Sequence, residues 1–315
     1  MAKWSGRICC CWKCVPDFEI TLGGRAAAAA TKLEIAENSL TTMKQLIKRI
    51  LYGVAPEWTT ALMSAKARAH SHRVVQEWGC GPIHQKLIER LGTGVQEGPF
   101  AGMKLTDMTF AEQIGPYLLG VYESELDAAW ETVFRGSYRQ IIDIGAKFGF
   151  YAVGLARKYP QAEVMAFDTD WWARKAVREM AAANQTPNVK VVGFCTSGWL
   201  AQNTCEGAFI ISDCEGFEGV LFSDEVIARL GTATLIVETH DCLVPGVCER
   251  LHQAFGKTHM VKIVGMDGSR RAPNVNLSFL ASDRDRELAS QEARPDQIWL
   301  LCLPKSGPNA SLANG

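Results

Sequence analysis

The chain has 315 residues, of which 47% are hydrophobic and 21% are charged, and 33 Lys and Arg residues against 34 Asp and Glu residues leave a net charge of -1. This is the composition of a soluble globular protein. It excludes disorder over most of the length, a collagen-like repeat and a strongly basic nucleic-acid coat. No apolar run reaches the roughly 18 to 20 residues that span a bilayer, and no secretory signal is recognised, so a cytoplasmic location is expected.

The N-terminal end differs from the rest of the chain in charge and in cysteine content. The first 100 residues carry a net charge of +5 and the remainder -6, and four of the 11 cysteines lie at Cys9, Cys10, Cys11 and Cys14. An odd cysteine total without an export signal argues against a disulfide framework. Metal binding and lipidation are alternatives for the four clustered cysteines. We predict that residues 1–42 form a disordered leader and that the other seven cysteines are buried.

Residues 43–95 are predicted to form a helical region. Apolar residues recur at helical spacing from Met43 to Val54 while lysines and an arginine occupy the other face, which indicates a short basic amphipathic helix. Two further helices are predicted at 57–77 and 84–91. We expect the basic helix to pack on its neighbours; weak peripheral contact with a membrane and homodimerisation are the alternatives.

After Gly98, short apolar runs alternate with helical patterns, as in βαβ units. The predicted helices lie near 149–158, 171–183, 218–230 and 245–255. The predicted strands cover 140–144, 163–168, 189–194, 208–213, 233–240, 258–264 and 297–303. The pattern predicts one doubly wound α/β domain over residues 96–305, with a flexible tail over 306–315.

Acidic residues follow the predicted strands where ligands bind in such sheets. Asp143 precedes a turn with Gly145 and Gly149, which let a backbone approach a ligand closely and begin a helix. Asp168 ends the second strand, 25 positions later, at the spacing of a carboxylate that accepts hydrogen bonds from ribose hydroxyls. These residues predict a cofactor that contains a nucleoside.

The loop argues against a dinucleotide. It lacks the middle glycine of the GxGxxG fingerprint, and the Asp143 carboxylate would repel a phosphate. The same carboxylate would attract the ammonium and sulfonium groups of S-adenosylmethionine, which has no phosphate.

Three segments resemble the FkbM-type S-adenosylmethionine-dependent methyltransferase family, and the similarity spans roughly residues 96–305. They are Asp143-Ile-Gly-Ala-Lys-Phe-Gly149, the strand end at Asp168, and Asp213-Cys-Glu-Gly-Phe-Glu218. They correspond to the family's DIGAN-x-G loop, FEP-like strand end and DxEGxE strand end. Two positions depart from the family: Lys147 replaces the usual Asn, and Phe167-Asp-Thr169 replaces Phe-Glu-Pro.

The resemblance implies a Rossmann-like seven-stranded methyltransferase sheet with its last strand antiparallel. It also implies that Asp168 holds the ribose and that Asp213 lies near the cofactor amino group or the acceptor. An ordinary helix N-cap is the alternative for each of these two residues. The methionine end of the cofactor would be bound by the first loop, with Asp143, Gly145, Ala146, Lys147 and Gly149.

Catalysis by such an enzyme depends mainly on alignment of the acceptor with the methyl group, and a base is secondary. His240 is favoured as the base because an unperturbed imidazole is largely neutral at pH 7, and Glu215 is the second catalytic candidate. Glu238 and Asp241 are further candidates for the base, and a merely structural role is the alternative for His240. A divalent metal held by Asp213, Glu215, His240 and Asp241 is left open but is not expected.

The predicted function is therefore O-methylation of a hydroxyl on a small molecule or a glycan by an S-adenosylmethionine-dependent methyltransferase. No nucleic-acid partner is expected, because no stripe of basic and aromatic residues is present. The alternatives are a binding or scaffold protein that has kept the fold and lost catalysis, which the Lys147 departure favours, and, more remotely, an NAD-dependent oxidoreductase.

Overall fold

A computed structural model describes residues 50–106, 113–265, 271–292 and 297–314. The predicted leader at 1–42 and most of the predicted basic helix lie outside these residues. Residues 50–54 are helical and are followed by α1 (Pro56–Glu77), α2 (Gly81–Leu91), α3 (Ile114–Leu119) and α4 (Asp127–Val133). Among the described residues, no helix combines the length and the apolar character that a membrane crossing requires.

The rest of the chain alternates strands and helices. The strands are β1 (Gln140–Ile144), β2 (Glu163–Phe167), β3 (Val189–Val192), β4 (Phe209–Ser212), β5 (Thr234–Thr239), β6 (His259–Gly265) and β7 (Ile298–Pro304). The helices are α5 (Phe150–Lys158), α6 (Trp171–Ala183), α7 (Ser197–Asn203), α8 (Glu218–Leu221), α9 (Asp224–Arg229), α10 (Val247–Gly256) and α11 (Asp283–Ser290).

All seven strands form one sheet in the order β3-β2-β1-β4-β5-β7-β6. Strands β1 to β5 pair in parallel, whereas β7 runs antiparallel to both β5 and β6. The predicted fold class is confirmed: the protein has the Rossmann-like methyltransferase sheet with its last strand antiparallel, preceded by a helical region.

The sheet is buried on both faces because side chains alternate along each strand. Ile141 and Ile211 pack with α2 to α6 on one face. Ile142 and Ile210 pack with α9, α10 and Tyr52 on the other. Burial of the central strands β1, β4 and β5 accounts for the apolar runs by which the sequence predicted them.

Three expectations differ from the structure. The predicted helix at 218–230 is two helices, because the Ser223 side chain accepts a hydrogen bond from the Val226 N–H and begins α9 as a separate helix. The α3 and α4 helices were not predicted. The cysteines vary in exposure: Cys80, Cys195, Cys214 and Cys302 are buried, Cys248 is half-buried, and Cys205 and Cys242 are exposed.

The C-terminal segment, for which a flexible tail was expected, packs against the domain. Its last turn is a 3-10 helix, Ala310–Asn314, in which Leu312 is buried in the core. Asn309 is buried beside it, and its amide donates hydrogen bonds to the Ser137 and Gly207 carbonyls. This mostly small and polar segment is therefore attached to the domain by one buried leucine side chain and one buried amide.

Replacing Leu312 with Ala is expected to lower the free energy of unfolding by about 2 to 4 kcal/mol, because a buried leucine leaves a cavity. Urea unfolding measures the change. Ser311→Ala is the matched control, since Ser311 is exposed and its replacement should stay within about 0.5 kcal/mol. Equal stability of the two variants would show that the segment does not pack in solution.

Candidate functional site

The candidate site lies where the carboxyl ends of β1, β2, β4 and β5 meet. The strand order reverses direction at β1, so the crevice between β1 and β4 is the switch point at which open α/β sheets bind ligands. The strands are in register there, with Ile144 opposite both Phe167 and Ser212, and Ser212 opposite Val237. The residues that follow these strand ends therefore stand side by side.

The loop after β1 is pressed against both neighbouring strands. The Gly145 and Ala146 N–H groups donate to the Phe167 carbonyl at 2.9 and 3.0 Å. On the other side, a Cβ at Gly145 would lie 1.6 Å from the Asp213 carbonyl oxygen, and Gly145 has a φ of +89°. Only glycine fits this position. The loop then turns at Gly149, whose φ is +91°, into the start of α5.

Asp168 is fixed by backbone donors on both of its carboxylate oxygens. The Lys147 N–H donates to Oδ2 at 2.8 Å and the Asp170 N–H donates to Oδ1 at 2.8 Å. Asp170 is the N-cap of α6, through the Trp172 N–H, so the alternative of an N-cap role does not apply to Asp168. A carboxylate offers about four acceptor sites, so two backbone donors orient it without exhausting its capacity.

Asp143 lies beneath the loop with only 3% of its surface exposed. Its pKa is raised to about 8, chiefly by burial and in addition by the Asp168 and Asp213 carboxylates, while a hydrogen bond from the Ala152 backbone works in the opposite direction. Three acids thus converge at the ends of adjacent strands, and the deepest of them is neutral at pH 7.

Lys147 occupies the position that departs from the family pattern. Its backbone is part of the loop, and its ammonium group lies beside two aromatic rings. Its φ is 48°, an uncommon value for a residue with a Cβ. Its Nζ lies 5.5 Å from the Phe148 ring centroid and 6.0 Å from that of Tyr117. The contact that fixes Asp168 comes from the Lys147 main chain and does not depend on the side chain.

A second group of charges surrounds His240 at the ends of β4 and β5. We call it the His240 cluster; it consists of His240, Asp213, Glu215, Glu218 and Glu238. The imidazole Nδ1 is 2.7 Å from Glu218 Oε1, which also accepts the Cys214 N–H. The imidazole Nε2 is 3.5 Å from Asp213 Oδ1, 3.8 Å from Glu215 Oε2 and 3.9 Å from Glu238 Oε2.

The charges of the His240 cluster determine its protonation. Burial opposes a charge on His240, but Glu218 and Glu238 outweigh it and hold the His240 pKa well above its ordinary value. Burial likewise opposes ionisation of Glu218, yet the contact with His240 lowers the Glu218 pKa. Burial raises the pKa of Glu238 well above its usual range and that of Glu215 to about 7. The premise that His240 is neutral at pH 7 was therefore wrong, because four carboxyl groups surround it.

The cluster differs in membership from the acidic group that the sequence left open as a metal site. Asp241 lies outside it: its carboxylate accepts the Gly246 and Cys248 N–H groups at the start of α10. Glu218 takes its place and was missed as a site residue, although the spacing Asp213-x-Glu215-x-x-Glu218 in one turn could have indicated it.

The helical N-terminal region reaches the same turn through Tyr52. This side chain is 1% exposed, packs against the Phe217 ring at 5.9 Å between centroids, and donates a hydrogen bond from its hydroxyl to the Glu215 carbonyl at 2.7 Å. Glu215 itself has a φ of 55°. Residues before α1 thus help to hold a strained turn of the site.

No protein-family model matches the chain and no curated protein matches its sequence. Among similar solved structures, the precorrin-6y C5,15-methyltransferase of Geobacter metallireducens GS-15 is 14% identical, with a TM-score of 0.39, over 56% of this chain and 85% of that one. An rRNA methylase from Streptococcus thermophilus is 12% identical, with a TM-score of 0.39, over 56% and 95%. The Pyrococcus abyssi tRNA (uracil-54, C5)-methyltransferase, in complex with S-adenosyl-L-homocysteine, is 11% identical, with a TM-score of 0.35, over 57% and 38%. The fold assignment rests on the strand order and directions of this chain.

Gly145→Ala is expected to destabilise the protein by more than about 2 kcal/mol, because the new Cβ would collide with the Asp213 carbonyl and the φ is unfavourable. Gly193→Ala is the matched control, since a Cβ there meets no atom within 4 Å. Urea unfolding compares the two. A Gly145→Ala variant as stable as the control would contradict the close approach of the loop to β4.

Stability is expected to depend on pH through Asp143. Its pKa is raised to about 8, so the folded protein retains a proton that the unfolded chain loses, and stability falls between pH 4 and 8. Over that window, Asp143→Asn should gain on the wild type by up to about 1.4 kcal/mol per pH unit. Urea unfolding at pH 5, 7 and 9 tests this. Asp224→Asn, at an exposed position, is the control; an Asp143→Asn curve parallel to the wild type would contradict the raised pKa.

Proposed function

We propose that this protein is an S-adenosylmethionine-dependent methyltransferase of the FkbM type and that its acceptor is a hydroxyl group of a small molecule or a glycan. The observation that carries the proposal is the convergence of Asp143, Asp168 and Asp213 around the Gly145–Gly149 loop at the switch point. A site so rich in carboxyl groups favours a cationic ligand over one that carries phosphates.

The residues at the switch point fit S-adenosylmethionine by charge and by shape. Asp168, oriented by two backbone donors, would accept the ribose hydroxyls. Asp213 would face the ammonium end, and Asp143, whose Oδ2 is buried without a hydrogen-bond partner, would accept a hydrogen bond there as a neutral carboxyl group. The loop from Gly145 to Gly149 would form the floor. The cofactor supplies an electrophilic methyl group, so the chemistry required of the protein is alignment.

The acceptor side is proposed to be the end of β4 and β5, with Glu215 as the residue that contacts the hydroxyl and His240 as the residue behind it. The Glu215 side chain is 32% exposed, whereas His240 is 3% exposed and held by Glu218. Glu215 would accept a hydrogen bond from the acceptor hydroxyl, and His240 would keep the surrounding carboxylates in place. His240 therefore acts here as a positioning residue rather than as the free base that the sequence favoured.

The choice of cofactor can be tested by thermal melting with S-adenosylmethionine, S-adenosylhomocysteine and NAD. A ligand at 100 times its Kd adds about 2.7 kcal/mol to stability, which raises the Tm of a chain of this size by roughly 5 to 10 °C. Shifts with the first two ligands are expected. A shift with NAD alone would overturn the proposal in favour of the oxidoreductase.

Asp168→Asn is expected to weaken S-adenosylmethionine binding by at least about tenfold, because a hydrogen bond to a charged carboxylate contributes about 1.5 to 3 kcal/mol. Isothermal titration calorimetry measures the affinity. Asp224→Asn removes an exposed carboxylate and should bind like the wild type. If Asp168→Asn folds normally and binds with unchanged affinity, Asp168 does not hold the ribose.

The acceptor class can be tested by mass spectrometry of extracts incubated with the protein and S-adenosylmethionine. A hydroxyl-bearing small molecule or glycan should gain one methylene with the wild type and not with Asp168→Asn. Cofactor binding without any methylated product would instead support the binding or scaffold protein.

A further inference from the structure

The His240 cluster gathers four carboxyl groups around a single imidazole. Asp213, Glu215, Glu218 and Glu238 all present carboxyl oxygens within 3.9 Å of an imidazole nitrogen. Glu218 and Glu238 are at most 1% exposed, so water cannot compensate for their charge. Such a group is stable only if it retains protons or binds a cation.

A separate observation indicates whether the cluster retains protons or binds a cation. His240 is 3% exposed. Its Nε2 has no hydrogen-bond partner, although carboxyl oxygens of the cluster lie around it. Glu218 Oε2, Glu238 Oε1 and Asp213 Oδ1 likewise lack partners. Buried polar atoms are nearly always hydrogen-bonded, so the unpartnered His240 Nε2, 3.5 Å from the unpartnered Asp213 Oδ1, indicates a missing ligand between them.

The arrangement around the imidazole is that of a metal-binding histidine. Metal-bound histidines usually donate their second ring N–H to a carboxylate, which fixes the tautomer and the ring orientation. Here Glu218 Oε1 lies 2.7 Å from Nδ1 and leaves Nε2 directed at Asp213, Glu215 and Glu238. Glu218 is itself fixed by the Cys214 N–H.

The spacing also suits one ion. Ligand atoms about 2.1 Å from an ion, at angles of about 90 to 110°, are about 3.0 to 3.4 Å apart. The distances from Nε2 to the three carboxylate oxygens are 3.5, 3.8 and 3.9 Å, so shifts of a few tenths of an ångström in side chains would complete the coordination. Asp213, His240 and Glu218, the carboxylate that holds the imidazole, each present a possible ligand atom within 4.8 Å of the others, so the ring, its orienting carboxylate and one proposed ligand already lie together.

We propose that the His240 cluster binds a divalent transition-metal ion through His240 Nε2, Asp213 and at least one of Glu215 and Glu238, with Glu218 orienting the imidazole. Imidazole with carboxylates selects Mn²⁺ or Zn²⁺ over Mg²⁺. Binding replaces the proton on Nε2, which leaves to solvent. The site does not depend on S-adenosylmethionine; if the proposed function also holds, the ion stands on the acceptor side, where it would lower the pKa of a bound hydroxyl.

The test uses the full chain, stripped with EDTA and titrated with Mn²⁺ alone. Electron paramagnetic resonance measures free Mn²⁺, and thermal melting follows stabilisation. The wild type should bind one ion per chain with a rise in Tm, and Mg²⁺ should bind more weakly. Asp213→Asn and His240→Gln should each weaken binding by more than about tenfold, and Glu218→Gln by about 10- to 100-fold through the orientation of the ring.

Asp283→Asn is the matched control, because Asp283 is 99% exposed and lies outside the cluster; it should bind as the wild type does. A pulsed resonance measurement on the wild type should show nitrogen coupled to Mn²⁺, which keeps the proposal testable even if a variant fails to fold. Absence of stoichiometric binding, absence of nitrogen coupling, or unchanged affinity in Asp213→Asn and His240→Gln would overturn it. Metal binding without any response to S-adenosylmethionine would contradict the proposed function alone.

Discussion

The Gly145 backbone lies so close to the Asp213 carbonyl that no side chain can occupy the position between them. This contact joins the loop after β1 to the end of β4, and two N–H groups of the same loop join it to the end of β2. The strands are in register, so the contacts of this loop with β2 and β4 are enough to bring Asp143, Asp168 and Asp213 together. The geometry of the whole site follows from this one approach.

Convergence of the acids has an electrostatic cost, and the structure meets it differently at each position. Asp168 accepts two backbone N–H groups, which stabilise a carboxylate without adding a charge. Asp143 is buried, and its raised pKa keeps it neutral at pH 7. Glu218 is compensated by His240. Each solution leaves the local charge negative or zero and never positive, which is the basis for proposing a cationic ligand.

Much of the fold could be predicted from the sequence, and the reason is the burial of the sheet. The central parallel strands β4 and β5 are buried along their whole length, and β1 is buried at every residue after Gln140. Asp143 is the penultimate residue of β1, and Asp168 and Asp213 directly follow β2 and β4. Helix α6 was predicted from its helical sequence pattern, and in the structure the Asp170 side chain caps its first turn. These features are local and are therefore visible in a single sequence.

What escaped prediction depends on contacts distant in sequence. Leu312 is the one leucine of a polar segment, and only the core it enters makes it structural. Tyr52 is an ordinary residue of an amphipathic helix until its hydroxyl meets the Glu215 carbonyl, 163 positions away. Glu218 belongs to a recognisable motif, but its role arises from the approach of β5, which brings His240 to it.

His240 shows most clearly why composition alone could not establish the chemistry of the site. Its reference pKa predicted a neutral ring, and that value holds for an imidazole in water. In the folded chain, the β4 turn places Asp213, Glu215 and Glu218 around the ring, and β5 adds Glu238 from the same strand end. The pairing of β4 with β5 that surrounds the ring with four carboxyl groups argues against a free base at His240, and it is also the basis of the proposed cation site. Both proposals, a cationic cofactor beside the β1 loop and an ion beside His240, therefore rest on the parallel register that brings acidic residues to one edge of the sheet.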